Sequence, residues 1–84
     1  MTAAVALAAY RERSPRKPQG LLLMFAVGSS AVFFGTDADA VASVFPVEKD
    51  TSLGLPSVRL PLGDYLASEH SLLERGHSVE HVST

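Results

Sequence analysis

Four cations crowd the start of the chain: Arg11, Arg13, Arg16 and Lys17 stand against Glu12 alone. Guanidinium and ammonium groups bunched across a helix end and a loop can follow a phosphate backbone without reading its sequence. The same residues also fit a solvated linker that keeps a small domain dispersed, and they are fewer than the extended basic stripe of a dedicated nucleic-acid binder. In the rest of the chain Lys49, Arg59 and Arg75 are outnumbered by Asp and Glu, so the net charge of −2 hides two unlike ends.

His70, His77 and His81, with Glu74 and Glu80, are the side chains with metal-ligand chemistry. His77 and His81 fall on one face of an alternating segment, but four residues along a strand is roughly 13 Å, too far for one tetrahedral ion. They read as surface or rim histidines, and only a helical winding of this segment would bring them together. Ser29, Ser30, Asp37, Asp39 and the histidines supply the residue types of a serine nucleophile system. No Gly-x-Ser-x-Gly turn presents them, and no glycine-rich loop with Lys and Ser/Thr cradles a phosphate. The reading is a protein that is not an enzyme and takes no cofactor or metal.

At 84 residues the chain has room for a single core, so it reads as one domain spanning 1–84. With 46% hydrophobic and 19% charged residues it is globular in composition, not disordered. It has no cysteine, so burial, a partner or self-association must stabilise it, and a reducing, cytoplasmic setting fits. Its apolar runs, 21–27 and 31–34, are split by Gly28-Ser29-Ser30 and fall short of the about 20 consecutive residues a membrane span takes. The arginines follow the first apolar run instead of preceding it, the reverse of a secretory signal.

The elements that would position these residues follow from local grammar. Residues 2–13 are Ala- and Leu-rich without Gly or Pro and place Ala3, Leu7 and Tyr10 on one face, which predicts a short helix stopped by Ser14-Pro15. The continuous apolar run 21–27 predicts a strand covered on both sides, and Gly28-Ser29-Ser30 turns it into a second strand over 31–34, an antiparallel hairpin ended by Gly35. Thr36 can then cap a helix, with Asp37 and Asp39 in its first turn and Ala40, Val41, Val44 and Phe45 on its apolar face, up to Pro46. Residues 48–57 are a loop by composition, and 58–60 a short strand cut by Pro61. Leu62, Tyr65, Leu66, Leu72 and Leu73 predict a helix up to Gly76, interrupted near Ser68 and Ser71. A last strand over 77–82 sends His77, Val79 and His81 to one face and Ser78, Glu80 and Val82 to the other. Leu53, Leu55, Leu60 and Leu62 either close one end of the core or stay exposed for a partner. The order α-β-β-α-(β)-α-β predicts a small α/β (α+β) domain, a mixed sheet flanked by about three helices.

This pattern resembles the N-terminal, mismatch-recognition domain of the MutS family of DNA mismatch-repair proteins. The matching stretches are LLLMFAVGSSAVFFGTDADAVASVF at 21–45 and LPSVRLPLGDYLASEHSLLERGHSVEHV at 55–82, with the leading helix and its Tyr10 before a proline-containing linker. The resemblance implies the family's turn after the first strand, where a Phe-x-Glu pair meets the mispaired base. Here Ser30 stands in place of that Phe and Val32 in place of that Glu. Serine has no aromatic face to stack on a base and valine accepts no hydrogen bond, so the mismatch reader is absent. The segment between the second helix and the third strand is also short for the family.

The expectation is therefore a stand-alone, non-catalytic binding module that acts on a protein of a nucleic-acid-processing complex. A free-standing copy of a repair domain is expected on a mobile genetic element, plasmid or phage, where one concrete role is interference with a host defence complex such as a CRISPR effector. The alternative is direct, sequence-independent DNA or RNA binding through Arg11, Arg13, Arg16 and Lys17 together with Ser29 and Ser30. A third reading is self-association into a homo-oligomer.

Overall fold

The structure, a computed structural model, describes residues 1–83. Thr2 caps the first helix, its side-chain oxygen accepting from the Val5 N–H at 3.2 Å. That helix, α1 (Ala3–Arg13), ends in a single 3-10 turn over Ser14–Arg16. β1 (Leu21–Val27) and β2 (Ser30–Phe34) form the expected hairpin around Gly28-Ser29. Gly28 has a φ of +59° and Ser29 does not share its sign, the pattern of a turn that needs Gly in its first central position. α2 (Gly35–Val44) follows directly, then β3 (Ser57–Pro61), α3 (Leu62–Ser68), α4 (His70–Glu74) and β4 (Ser78–Val82).

The result is a small mixed α/β domain with one four-stranded sheet in the order β3-β2-β1-β4. β1 is antiparallel to β2 and β2 to β3, while β4 runs parallel to β1, Leu21 opposite Ser78 through Phe25 opposite Val82. Both faces of the sheet are covered, which is why β1 reads as unbroken apolar sequence rather than alternation. On one face Leu22, Met24, Ala31, Phe33, Val58 and Leu60 meet Ala38 and Val41 of α2, Tyr65 of α3 and Leu72 of α4. On the other, Leu23, Phe25, Val32, Phe34 and Val82 meet Ala6 and Tyr10 of α1. Aromatic pairs fix each side: Phe33 edge-on to Tyr65 at 5.2 Å, and Phe34 between Tyr10 and Phe25, each at 5.6 Å.

Several expectations change in detail. The helix over 62–76 is broken into α3 and α4 at Glu69, at the interruption the two serines marked. The buried stripe of α1 is centred on Ala6 and Tyr10, with Leu7 and Ala3 at its flanks. Thr36 does not cap α2. The left-handed Gly35, at φ +62°, turns the chain into the helix straight after Phe34, which occupies the cap position and has no side-chain acceptor. Of the leucines near the two prolines, Leu60 is buried, Leu55 and Leu62 pack against the two cores, and Leu53 stays exposed.

Candidate functional site

The four sequence-predicted cations meet different fates. Lys17 lies in the extended linker after the 3-10 turn and reaches back to the sheet. Its Nζ donates to the Leu21 C=O at 2.6 Å and pairs with Asp37 Oδ1 at 3.0 Å, with side-chain exposures of 14% for Lys17 and 1% for Asp37. The other oxygen, Asp37 Oδ2, accepts from the Leu23 N–H at 3.1 Å.

This arrangement answers a gap in the sheet. The β1–β2 ladder runs from Val27 opposite Ser30 only to Phe25 opposite Val32. Upstream of Phe25 the backbone groups of Leu21 and Leu23 on that side of β1 need other partners. The Lys17–Asp37 pair supplies both, a donor for Leu21 and an acceptor for Leu23. Asp37, expected as a first-turn charge on α2, serves the sheet as well as the helix.

Arg13 instead projects from the end of α1 across the sheet to Glu80 of β4, Nη1 to Oε2 at 2.6 Å, with both side chains about half exposed. Arg11 and Arg16 are exposed, and neither is within ion-pair distance of a carboxylate among the described residues. Arg13, Arg16 and Lys17 share one open cleft of about 350 Å³ over Leu21 and Leu23, with Glu12, Pro18 and Glu80 completing its wall. The cleft thus mixes both signs of charge, and two of its three cations are engaged.

Ser29 and Ser30 do not join this cleft. The cations lie at the Leu21 end of β1 and the turn at its Val27 end, roughly 20 Å apart at the usual rise of a strand. At the turn, Ser29 is exposed and its C=O accepts from the Leu62 N–H at 2.8 Å, while Ser30 is half-buried. Val32 points into the α1-side core and is buried.

A polar network that sequence reasoning missed lies on the other face. Tyr65 Oη donates to Glu69 Oε2 at 2.8 Å, and His81 Nε2 meets the same oxygen at 2.5 Å, joining β4 to the α3–α4 break. Burial, then the hydrogen bond to Glu69 and its charge, push the Tyr65 hydroxyl far above the usual phenol range. For Glu69, burial raises the carboxyl, but hydrogen bonds from His81 and Tyr65 and the charge of His81 outweigh it and hold the group below its ordinary value. The signal available in sequence was the helical i, i+4 spacing of Tyr65 and Glu69. His81 joins only through the fold. Among the described residues no three His, Asp or Glu side chains converge as a metal site.

The remaining features are local. Asp50 accepts from the Ser52 N–H at 2.8 Å and from its hydroxyl at 3.0 Å, which lowers its carboxyl below the usual range. A second recess of about 270 Å³ lies over Val32 and Phe34, beside Leu53 and Arg59. Leu66 and Leu73, seven residues apart on α3 and α4, are about half exposed. No helix among the described residues is long and apolar enough to cross a membrane.

These elements define a small mixed α/β domain with a buried ion pair at one end of its central strand. Searches find no protein-family model that matches the chain and no curated protein similar to it.

Proposed function

We propose that this domain is a non-catalytic module that works by binding another protein, in the cytoplasm, as part of or against a nucleic-acid-processing or host-defence complex. The observation that carries the preference for a protein partner is the dispersal of the basic residues. Lys17 is committed to Asp37 and Arg13 to Glu80, and Ser29 and Ser30 lie at the far end of β1. A phosphate backbone would be met by Arg11 and Arg16 with acidic Glu12 and Glu80 close by, a poor electrostatic track. Leu53, Leu66 and Leu73 meanwhile offer apolar side chains to a partner. The nucleic-acid setting rests on the resemblance of 21–45 and 55–82 to the MutS N-terminal domain. At the position of that family's base-reading Glu stands Val32, turned into the core, and the Ser30 in place of its Phe has no ring.

The test pairs two measurements. Affinity capture from a native lysate is expected to recover a specific protein partner, lost when Leu66 and Leu73 are both changed to Ser. Titration with duplex, mismatched and single-stranded DNA and with RNA is expected to show no salt-sensitive binding. Binding that weakens steeply with salt and drops on neutralising Arg11 and Arg16 would replace this reading with the nucleic-acid one.

A further inference from the structure

The two edges of the sheet are built differently. At β3, the N–H of Gly35 donates to Pro56 and that of Leu62 to Ser29, so Val58 and Leu60 turn their backbone groups toward β2. Ser57, Arg59 and Pro61 therefore face outward. Ser57 is already paired, exchanging two bonds of 2.8 Å with Asp50. Pro61 has no N–H to offer, and the charged Arg59 stands between them. These are the devices by which natural sheets stop an edge from pairing.

Among the described residues β4 lacks the bridging partner and the proline, and its one charged residue, Glu80, turns its backbone groups toward β1. The Ser78 N–H donates to Gly20 at 2.9 Å, so in the parallel ladder Ser78, Glu80 and Val82 face β1 while Val79 and His81 turn their N–H and C=O groups outward. Among the described residues no segment pairs with this edge. The strand holds no Pro, Gly or Lys, and five consecutive residues are available.

We propose that β4 pairs antiparallel with β4 of a second copy of this chain, about a two-fold axis at Val79, joining two sheets into one. Charge and side-chain size select the register. An axis at Glu80 would set two Arg13–Glu80 pairs directly against each other, carboxylate facing carboxylate, which is destabilising. An axis at His81 would put at the centre of the pairing two imidazoles, each already held by its own Glu69, where the Val79 axis puts two apolar side chains. An axis at Val79 places the apolar Val79 against its symmetry mate at the centre and Ser78 against Glu80 of the other copy, a hydroxyl facing a carboxylate, with His77 opposite His81 only at the two ends of the pairing. The blocked β3 edge then ends the assembly at two copies, because β3 cannot pair with a third. This pairing uses none of the exposed leucines invoked above, so the two proposals stand or fall separately.

The test is the association state of the full chain by analytical ultracentrifugation, with amide exchange as second readout. The expected result is a concentration-dependent dimer in which the Val79 and His81 amides become protected. Val79→Pro should give a monomer of unchanged circular dichroism, since the Val79 N–H bonds nothing among the described residues. At the exposed Ser78, Ser78→Glu should weaken the dimer and Ser78→Lys strengthen it, each by roughly two- to thirtyfold over its two symmetric pairs. A chain that stays monomeric up to about 1 mM overturns the proposal. So does a dimer indifferent to Val79→Pro, or one on which the two Ser78 variants act alike.

Discussion

Lys17 and Arg13 come from the same short basic stretch and each meets a carboxylate, yet their surroundings make them different kinds of interaction. Asp37 is sealed from water and each partner of the Lys17 pair also bonds to β1, so loss of Asp37 leaves a charge without its counter-ion and a backbone N–H without its acceptor. Arg13 and Glu80 meet in solvent, where water replaces whatever either one loses. The lesson concerns reading cations from sequence. A basic run is counted as a surface for ligands, but the burial of each partner decides whether a charge is available at all.

The widest separation should appear on removing the acids. Asp37→Ala is expected to destabilise the domain by about 3–5 kcal/mol, read by denaturant unfolding, because it strands the Lys17 ammonium and the Leu23 N–H. A cost below about 1 kcal/mol would mean that water reaches this pair as it reaches the other. Glu69 is the intermediate case. Glu69→Gln should cost about 1–3 kcal/mol, since it removes the charge that receives both Tyr65 and His81.

The same residue predicts a pH dependence. The folded state holds the Glu69 carboxyl below its unfolded value of about 4.3, so its contribution is complete above that pH and is lost as pH falls through the lowered folded value. Unfolding measured from neutral to acid pH should therefore show a flatter acid limb for Glu69→Gln than for the parent chain. The smallest effect belongs to Arg13→Ala, at most about 1 kcal/mol and shrinking further with added salt. If Arg13→Ala instead rivals Asp37→Ala, exposure is the wrong criterion for separating the pairs.

The fold was largely legible because its signals are local. The unbroken apolar run at 21–27 announced a strand covered on both faces, Gly28 and Gly35 bounded the hairpin, and the alternation at 77–82 placed Val79 and Val82 on opposite cores. The site was not legible, because its partners meet only through topology. Asp37 lies twenty residues from Lys17 and reaches it only where β1 and β2 part, a place no spacing rule marks. His81 meets Glu69 only once β4 has crossed beside β1. Thr36 misled for a simpler reason: a good capping residue was present, but the left-handed glycine before it had already started the helix.

The hold of α1 on the sheet has a consequence for how the two cores depend on each other. Only Ala6 and Tyr10 of this helix are fully covered, and Tyr10 alone reaches both the Phe34 ring and the space above Gly35. α2, α3 and α4 share the larger of the two cores. Tyr10 is the one aromatic among the contacts of α1, beside Ala6, Leu7, Ala9 and the Arg13–Glu80 pair. Truncating that ring would uncover Phe25 and Phe34 on the α1 side and leave the core shared by α2, α3 and α4 untouched. The molecule is in effect a three-layer stack whose α1 leaf is held by the smaller core.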